Sequence, residues 1–180
     1  MTRNGLLGRV AIVTGASSGI GLELARVLAR EGYNLVVAAR RLERLEALAA
    51  ELFREYRREI ETIESDLSAG GGAEKLYREV ERRQISPEMV VNNAGFGDLG
   101  AFAEIEPSRL TGMIELNCSS LALLTRSFLP EMIARGNGCI LNVSSVAAFQ
   151  PGPFMATYYA TKAFVQSLSE ALSEELQGTG

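Results

Sequence analysis

Residues 14–21 read Thr14-Gly15-Ala16-Ser17-Ser18-Gly19-Ile20-Gly21, directly after a β-branched apolar run over 10–13 and directly before an amphipathic stretch over 22–28. A strand that leaves through a glycine turn into a helix builds a phosphate site from main chain alone. Gly15 can take the angles of a sharp exit, Gly19 leaves the backbone bare for a ligand, and Gly21 lets the new helix lie close on the sheet. The first N–H groups of that helix lack intrahelical partners and have the positive end of the helix dipole behind them, so a pyrophosphate suits them. Ser17 and Ser18 can either cap the helix or offer hydroxyls to phosphate.

Four more short runs rich in β-branched residues follow, over 35–39, 60–63, 89–91 and 140–143. Helical periodicity follows each run and predicts helices over 20–31, 42–56, 72–83, 107–134 and 156–176. Such alternation predicts an α/β fold, a Rossmann-type doubly wound parallel sheet with helices on both faces and ligands at the carboxyl ends of the strands. With 180 residues and 47% hydrophobic content, one domain over 1–180 is expected, with no repeat or linker to divide it.

The residue inventory narrows the chemistry. No histidine is present, which removes a Ser-His-Asp triad, an H-E-x-x-H zinc site and any imidazole base. The two cysteines, Cys118 and Cys139, lie in apolar segments without a C-x-x-C pattern, so buried reduced thiols are expected and no metal site. A net charge of −4 argues against a nucleic-acid surface, and the arginines near 53–58 alternate with acids. No apolar run reaches membrane-spanning length and residues 1–8 lack a leader's apolar core, so the expectation is a cytoplasmic protein with no membrane partner. Proton transfer is left to Tyr, Lys, Ser or a carboxylate.

In a dinucleotide fold the end of the second strand meets the adenosine ribose, where an acid binds the 2′-hydroxyl and an arginine accepts a 2′-phosphate. Here Arg40 and Arg41 stand at that place, which favours NADP over NAD; alternatively they begin the charged surface of the next helix. Asp66 follows the third strand and is also placed to cap a helix. Asn92-Asn93-Ala94-Gly95 follows the fourth, with asparagines able to tie neighbouring loops and Gly95 leaving room for a ribose. Asn117, alone within the long helical stretch, reads as a packing residue or a bend.

Tyr158 and Lys162 are one helical turn apart and can share a site. An ammonium about 5 Å from a phenol, at an effective dielectric of ~20, stabilises the phenolate by roughly 3 kcal/mol, enough to fit a tyrosine for general acid/base work. Tyr159 is also within reach of the lysine at i, i+3.

Taken in order, T-G-x-x-x-G-x-G, Asp66, N-N-A-G, Asn117, Ser145 and Y-x-x-x-K resemble the short-chain dehydrogenase/reductase family over essentially the whole chain. The resemblance implies a nicotinamide-dependent oxidoreductase acting on a carbonyl or secondary alcohol. It implies catalytic roles for Asn117, Ser145, Tyr158 and Lys162: Tyr158 exchanges the proton, Lys162 also binds the nicotinamide ribose, Ser145 holds the carbonyl and Asn117 anchors a water beside the lysine. The serine falls thirteen positions before the tyrosine, which selects Ser145 over Ser144. Cofactor contacts carried over are Gly15, Ser17, Ser18, Gly19, Ile20, Gly21, Arg40, Arg41, Asp66 (on the adenine amino group), Leu67, Asn93, Ala94, Gly95, Tyr158 and Lys162. Thr161 replaces a more usual serine, a change expected to be harmless.

The family's pattern continues past Gly180 into two further strands with a Pro-Gly segment and a substrate-covering loop, so the sheet's last strands are expected to be absent here. Phe96, Leu99, Phe149, Pro151, Pro153, Phe154 and Met155 suggest an apolar substrate. The long helical stretch and the last one are apolar over more surface than one sheet face covers; the resemblance pairs them in a homodimer or homotetramer. The rival expectation is a non-catalytic nucleotide-binding or oligomerising module.

Overall fold

The computed structural model describes residue 6 and residues 8–180, so most of the expected leader-free segment 1–8 lies outside the described residues. Five strands, β1 (Val10–Thr14), β2 (Asn34–Ala39), β3 (Ile60–Glu64), β4 (Met89–Asn92) and β5 (Cys139–Asn142), form one parallel sheet in the order β3-β2-β1-β4-β5. Strand β1 lies at the centre, with Val13 opposite Val37 on one side and Val91 on the other. A parallel strand covered on both faces must be apolar on both, and every residue of β1 is buried.

The period of two then sorts the core into layers. Val10 and Ile12 point with Val36, Ala38, Ile63 and Val90 to one face, where α3 (Gly72–Arg82) and α5 (Leu121–Arg135) supply Leu76, Val80, Leu124, Phe128 and Met132. Ala11 and Val13 point with Leu35, Val37 and Val91 to the other, where α1 (Gly19–Arg30) and α2 (Leu42–Tyr56) supply Ala25, Ala29, Leu45, Leu48 and Leu52. The last helix, α6 (Ala156–Glu175), packs on α4 (Pro107–Ile114) and on the turn that follows it. Strand order reverses at β1 between β2 and β4, and a crevice opens there beyond the strand ends.

Two expectations are corrected at this level. The stretch 107–134 is not one uniform α-helix: α4 passes through a π-helical turn, Glu115–Ser120, before α5, because one extra residue enters the hydrogen-bond ladder around Asn117. Cys139, on a face of β5 where alternate residues are exposed, is itself exposed, and Cys118, in the π turn, is half-buried, rather than both being buried. Among the described residues no cluster of three or more His, Cys, Asp or Glu side chains could hold a metal, and no helix is long and apolar enough to cross a membrane.

Candidate active site

The crevice holds a cleft of about 690 Å³. Its walls come from both halves of the chain: Ser17, Ser18, Arg40 and Arg41 from the first, Tyr158 and Lys162 from the second. Gly15, Gly19, Ile20, Asp66, Leu67, Asn93, Ala94 and Gly95 also line it, so nearly every expected cofactor contact is gathered there. Gly21 lies behind the wall, and Asn117 and Ser145 are outside the lining too.

The glycine turn is built by close packing. A Cβ on Gly21 would stand 2.3 Å from Asn93 Nδ2 and 2.6 Å from the Gly15 carbonyl oxygen, so only a residue without a side chain lets α1 start where it does. Gly19 differs: φ is +58° and nothing lies within 4 Å of its Cβ position, leaving bare backbone toward the cleft. Thr14, which the sequence reading gave no role, ties the turn to the next loop. Its hydroxyl donates to Val91 O at 3.2 Å and accepts from Asn93 N at 3.0 Å and Ala94 N at 3.1 Å. Asn93 Nδ2 returns a bond to Thr14 O at 2.9 Å.

The serines of the turn do not cap α1. Ser18 occupies the cap position without a side-chain cap bond. Arg41 Nη2 instead donates to Ser17 Oγ at 2.9 Å and Ser18 Oγ at 2.8 Å, because a guanidinium is a stronger donor than a main-chain N–H. The start of α1 is thereby left without a cap bond from the Ser18 side chain. Asp66 is no helix cap either: α3 begins at Gly72 behind a left-handed Gly71. Its Oδ1 accepts from Ser68 Oγ at 2.6 Å and Ser68 N at 2.9 Å. The Ser68 hydroxyl, helped by the Ser68 N–H and the charge of Arg40, holds the Asp66 carboxyl below its ordinary range.

The second half supplies a tighter cluster. Asn117, fully buried in the π turn, accepts from Phe96 N at 3.1 Å through Oδ1 and donates through Nδ2 to Phe96 O at 2.9 Å and Thr161 Oγ1 at 3.0 Å. Thr161 passes the connection on, its hydroxyl donating to Tyr158 O at 2.7 Å. The asparagine side chain is thus spent on fixing the loop after β4 to α6. Asn117 Oδ1 and Lys162 Nζ both approach Gly95, at 3.1 and 3.7 Å from its Cβ position.

Lys162 is buried, and its Nζ donates to Val143 O at 2.8 Å. Burial pushes its ammonium below the ordinary lysine range, and Cys118 acts in the opposite direction to a lesser extent. The same Nζ lies 5.8 Å from the centroid of the Tyr158 ring. Against that ring lies Gly97, whose Cβ position is 3.0 Å from Tyr158 Cδ2. Tyr159 is turned away, its ring against Gly152, and does not line the cleft. Of the two serines, Ser144 spends its hydroxyl hydrogen on Lys162 O at 3.2 Å. Ser145 Oγ accepts from Ala147 N at 3.1 Å, which leaves its hydrogen for another acceptor.

The chain is similar to known proteins in sequence and in fold. The family model for short chain dehydrogenases matches residues 9–180. A short chain dehydrogenase of Pseudocercospora fijiensis is 38% identical over 178 residues, which cover 97% of this chain and 57% of that protein. The bulky-bulky ketone specific alcohol dehydrogenase of Comamonas testosteroni superposes with a TM-score of 0.90 at 36% identity, over 96% of this chain and 69% of that one. A short-chain dehydrogenase from Sphingobium yanoikuyae, solved in complex with NADPH, gives 0.89 at 36% identity over 96% and 67%. The chain thus spans little more than half the length of the curated relative and about two thirds of the two solved structures.

Proposed function

The chain belongs to the short-chain dehydrogenase family, and we propose that it moves a hydride between NADP and the carbon of an apolar carbonyl compound or secondary alcohol. The observation that carries this reading is one cleft lined by two arginines from the end of β2 and by the Tyr158–Lys162 pair of α6.

The residues present fit a dinucleotide. Bare backbone at Gly19 and the uncapped start of α1 suit a pyrophosphate. Arg41, already a donor to Ser17 and Ser18, and Arg40, near Asp66, suit a 2′-phosphate and disfavour the bare 2′-hydroxyl of NAD. Ile20, Leu67, Asn93, Ala94 and Gly95 complete the bed. Bound there, the cofactor supplies or takes up the hydride.

The chain's own groups handle the proton. Tyr158 donates from its hydroxyl to the substrate oxygen as negative charge develops there. Lys162, oriented by Val143 O, stabilises the charge left on the phenol oxygen. Ser145 offers its free hydroxyl hydrogen to the same substrate oxygen, while Asn117 and Thr161 hold the loop and α6 in register. Phe96, Leu99 and Met155 in the cleft wall support an apolar substrate. The exposed Ile114, Leu123 and Phe164 on the α4, α5 and α6 helices support a homodimer or homotetramer.

Following NADPH and NADH oxidation by absorbance against a panel of aldehydes and ketones tests the reading. NADPH should be consumed faster than NADH. Cofactor binding with no turnover across the panel would favour the non-catalytic module instead.

A further inference from the structure

A tyrosine that hands on a proton must have its ring held in place, and the surface against the Tyr158 ring is the loop after β4. A Cβ on Gly97 would stand 3.0 Å from Tyr158 Cδ2, 3.1 Å from Cγ and 3.3 Å from Met155 Cε, so bare main chain lies on the ring. Phe96 and Asp98, on either side of Gly97, decide whether that main chain stays down.

Both are gripped by one side chain from α4. Arg109 Nε donates to Asp98 Oδ2 at 2.8 Å, and the guanidinium carbon of Arg109 lies 4.7 Å from the centroid of the Phe96 ring. A planar guanidinium can bond a carboxylate at its edge while an aromatic ring takes its face, which a compact ammonium does less well. Arg109 also holds the Asp98 carboxyl below its ordinary range, so the pair is charged at neutral pH. Two other ties act on main chain. Asn117 bonds the N–H and carbonyl of Phe96, and Gly100 N donates at 2.8 Å to the carbonyl of Phe154, a residue with left-handed backbone (φ +64°) just before α6.

Helix stability gives no reason for a cation at this place. Arg109 is the third residue of α4, whose first turn holds no acid, and the positive end of the helix dipole disfavours a guanidinium there. Its side chain is 53% exposed and does not line the cleft, whereas Phe96, Gly97 and Asp98 do.

Resting on the oxidoreductase reading above, we propose that Arg109 is a positioning residue: by holding Phe96 and Asp98 together it keeps Gly97 on the Tyr158 ring and so fixes the phenol hydroxyl. It acts through Tyr158 from outside the cleft.

The test measures kcat at saturating NADPH, and the NADPH Kd, for Arg109→Ala and Arg109→Lys, each made in the wild-type chain and in Tyr158→Phe. The substrate is whichever of benzaldehyde, butanone, acetophenone and octanophenone the wild type reduces fastest. The two contacts are individually modest, but a general acid displaced by about 1 Å loses much of its rate, so Arg109→Ala should lower kcat by about 5- to 20-fold. Its NADPH Kd should stay within about 2-fold, since Arg109 does not line the cleft. Arg109→Lys, which keeps the charge for Asp98 and loses the flat contact with Phe96, should recover to within about 3-fold of wild type. In the Tyr158→Phe background neither substitution should change kcat by more than about 2-fold, because the hydroxyl being positioned is already gone. Equal slowing in both backgrounds, as a merely structural ion pair requires, overturns the proposal, and so does wild-type kcat in Arg109→Ala. If Arg109→Ala does not fold, Asp98→Asn carries the same comparison, with a loss of about 2- to 5-fold expected only where Tyr158 is kept. A wild-type protein that reduces no aldehyde or ketone, or a Tyr158→Phe protein with wild-type turnover, overturns the reading on which the positioning role rests.

Discussion

Replacing Gly21 with alanine would test how the cleft is built. The new Cβ would stand 2.3 Å from Asn93 Nδ2 and 2.6 Å from Gly15 O, closer than real Cβ contacts allow. Either α1 lifts from the sheet, or Asn93 withdraws and gives up its 2.9 Å bond to Thr14 O. Overpacking of this kind costs about 1–3 kcal/mol, and the lost hydrogen bond about 1 kcal/mol more. A total of about 2–4 kcal/mol corresponds to a fall in Tm of roughly 4–16 °C for a chain of this size. Because the same shift moves the N–H groups at the start of α1, NADPH affinity should fall by about 10- to 100-fold. Gly112→Ala is the matched control: nothing lies within 4 Å of its Cβ position in α4, so it should be neutral or stabilise by about 0.5–1 kcal/mol. Scanning calorimetry and fluorescence titration read both quantities. A Gly21→Ala protein that melts within about 1 °C of wild type and binds NADPH equally well would refute the packing argument.

Three further predictions follow from other parts of the structure. Replacing Arg40 and Arg41 together with alanine should weaken NADPH binding by about 1–3 kcal/mol and leave NADH nearly untouched; equal losses for the two cofactors would remove the 2′-phosphate assignment. Glu79 is held down to about 2, by Arg82 first and by Arg83. With its folded value depressed, its stabilising contribution is complete above its unfolded range and is lost as pH falls through about 2. The melting difference between wild type and Glu79→Gln should therefore shrink on acidification through that range, and a constant difference would contradict the assignment. Light scattering at micromolar concentration should report a dimer or larger assembly, and a clean monomer would rule out association through the α4, α5 and α6 helices.

The sheet was legible because burial on two faces forces β-branched runs at β1, β2 and β4, and because the glycines of the turn recur where sterics demand them. Features that depend on distant segments meeting in space were not. Nothing local to Ser17 and Ser18 announces that Arg41, from the end of β2, will take their hydroxyls in place of the helix N–H groups. The π turn at Asn117 shifts the ladder by one residue without altering the apolar pattern, so the periodicity reads straight through it. Cys139 sits in an apolar run yet is exposed, because the face of β5 it occupies is decided by which elements pack on that strand, a property of topology. Phe154 belongs to a type that rarely takes left-handed backbone, so its conformation had no sequence signal. The residues of the candidate cluster were individually visible, Thr161 among them as a replacement for serine, but not the link it makes from Asn117 to the main chain of Tyr158.

The central claim is that Tyr158, beside Lys162, gives the proton in carbonyl reduction. It is tested most directly by NADPH-dependent turnover and NADPH affinity measured in parallel for Tyr158→Phe and Tyr159→Phe. Loss of a positioned general acid should lower kcat by about 10²- to 10⁴-fold in Tyr158→Phe while the NADPH Kd stays within about 2-fold. Tyr159→Phe, whose ring lies on Gly152 away from the cleft, should turn over near the wild-type rate. Near-normal turnover in Tyr158→Phe, or its loss in Tyr159→Phe with Tyr158→Phe intact, would contradict the account.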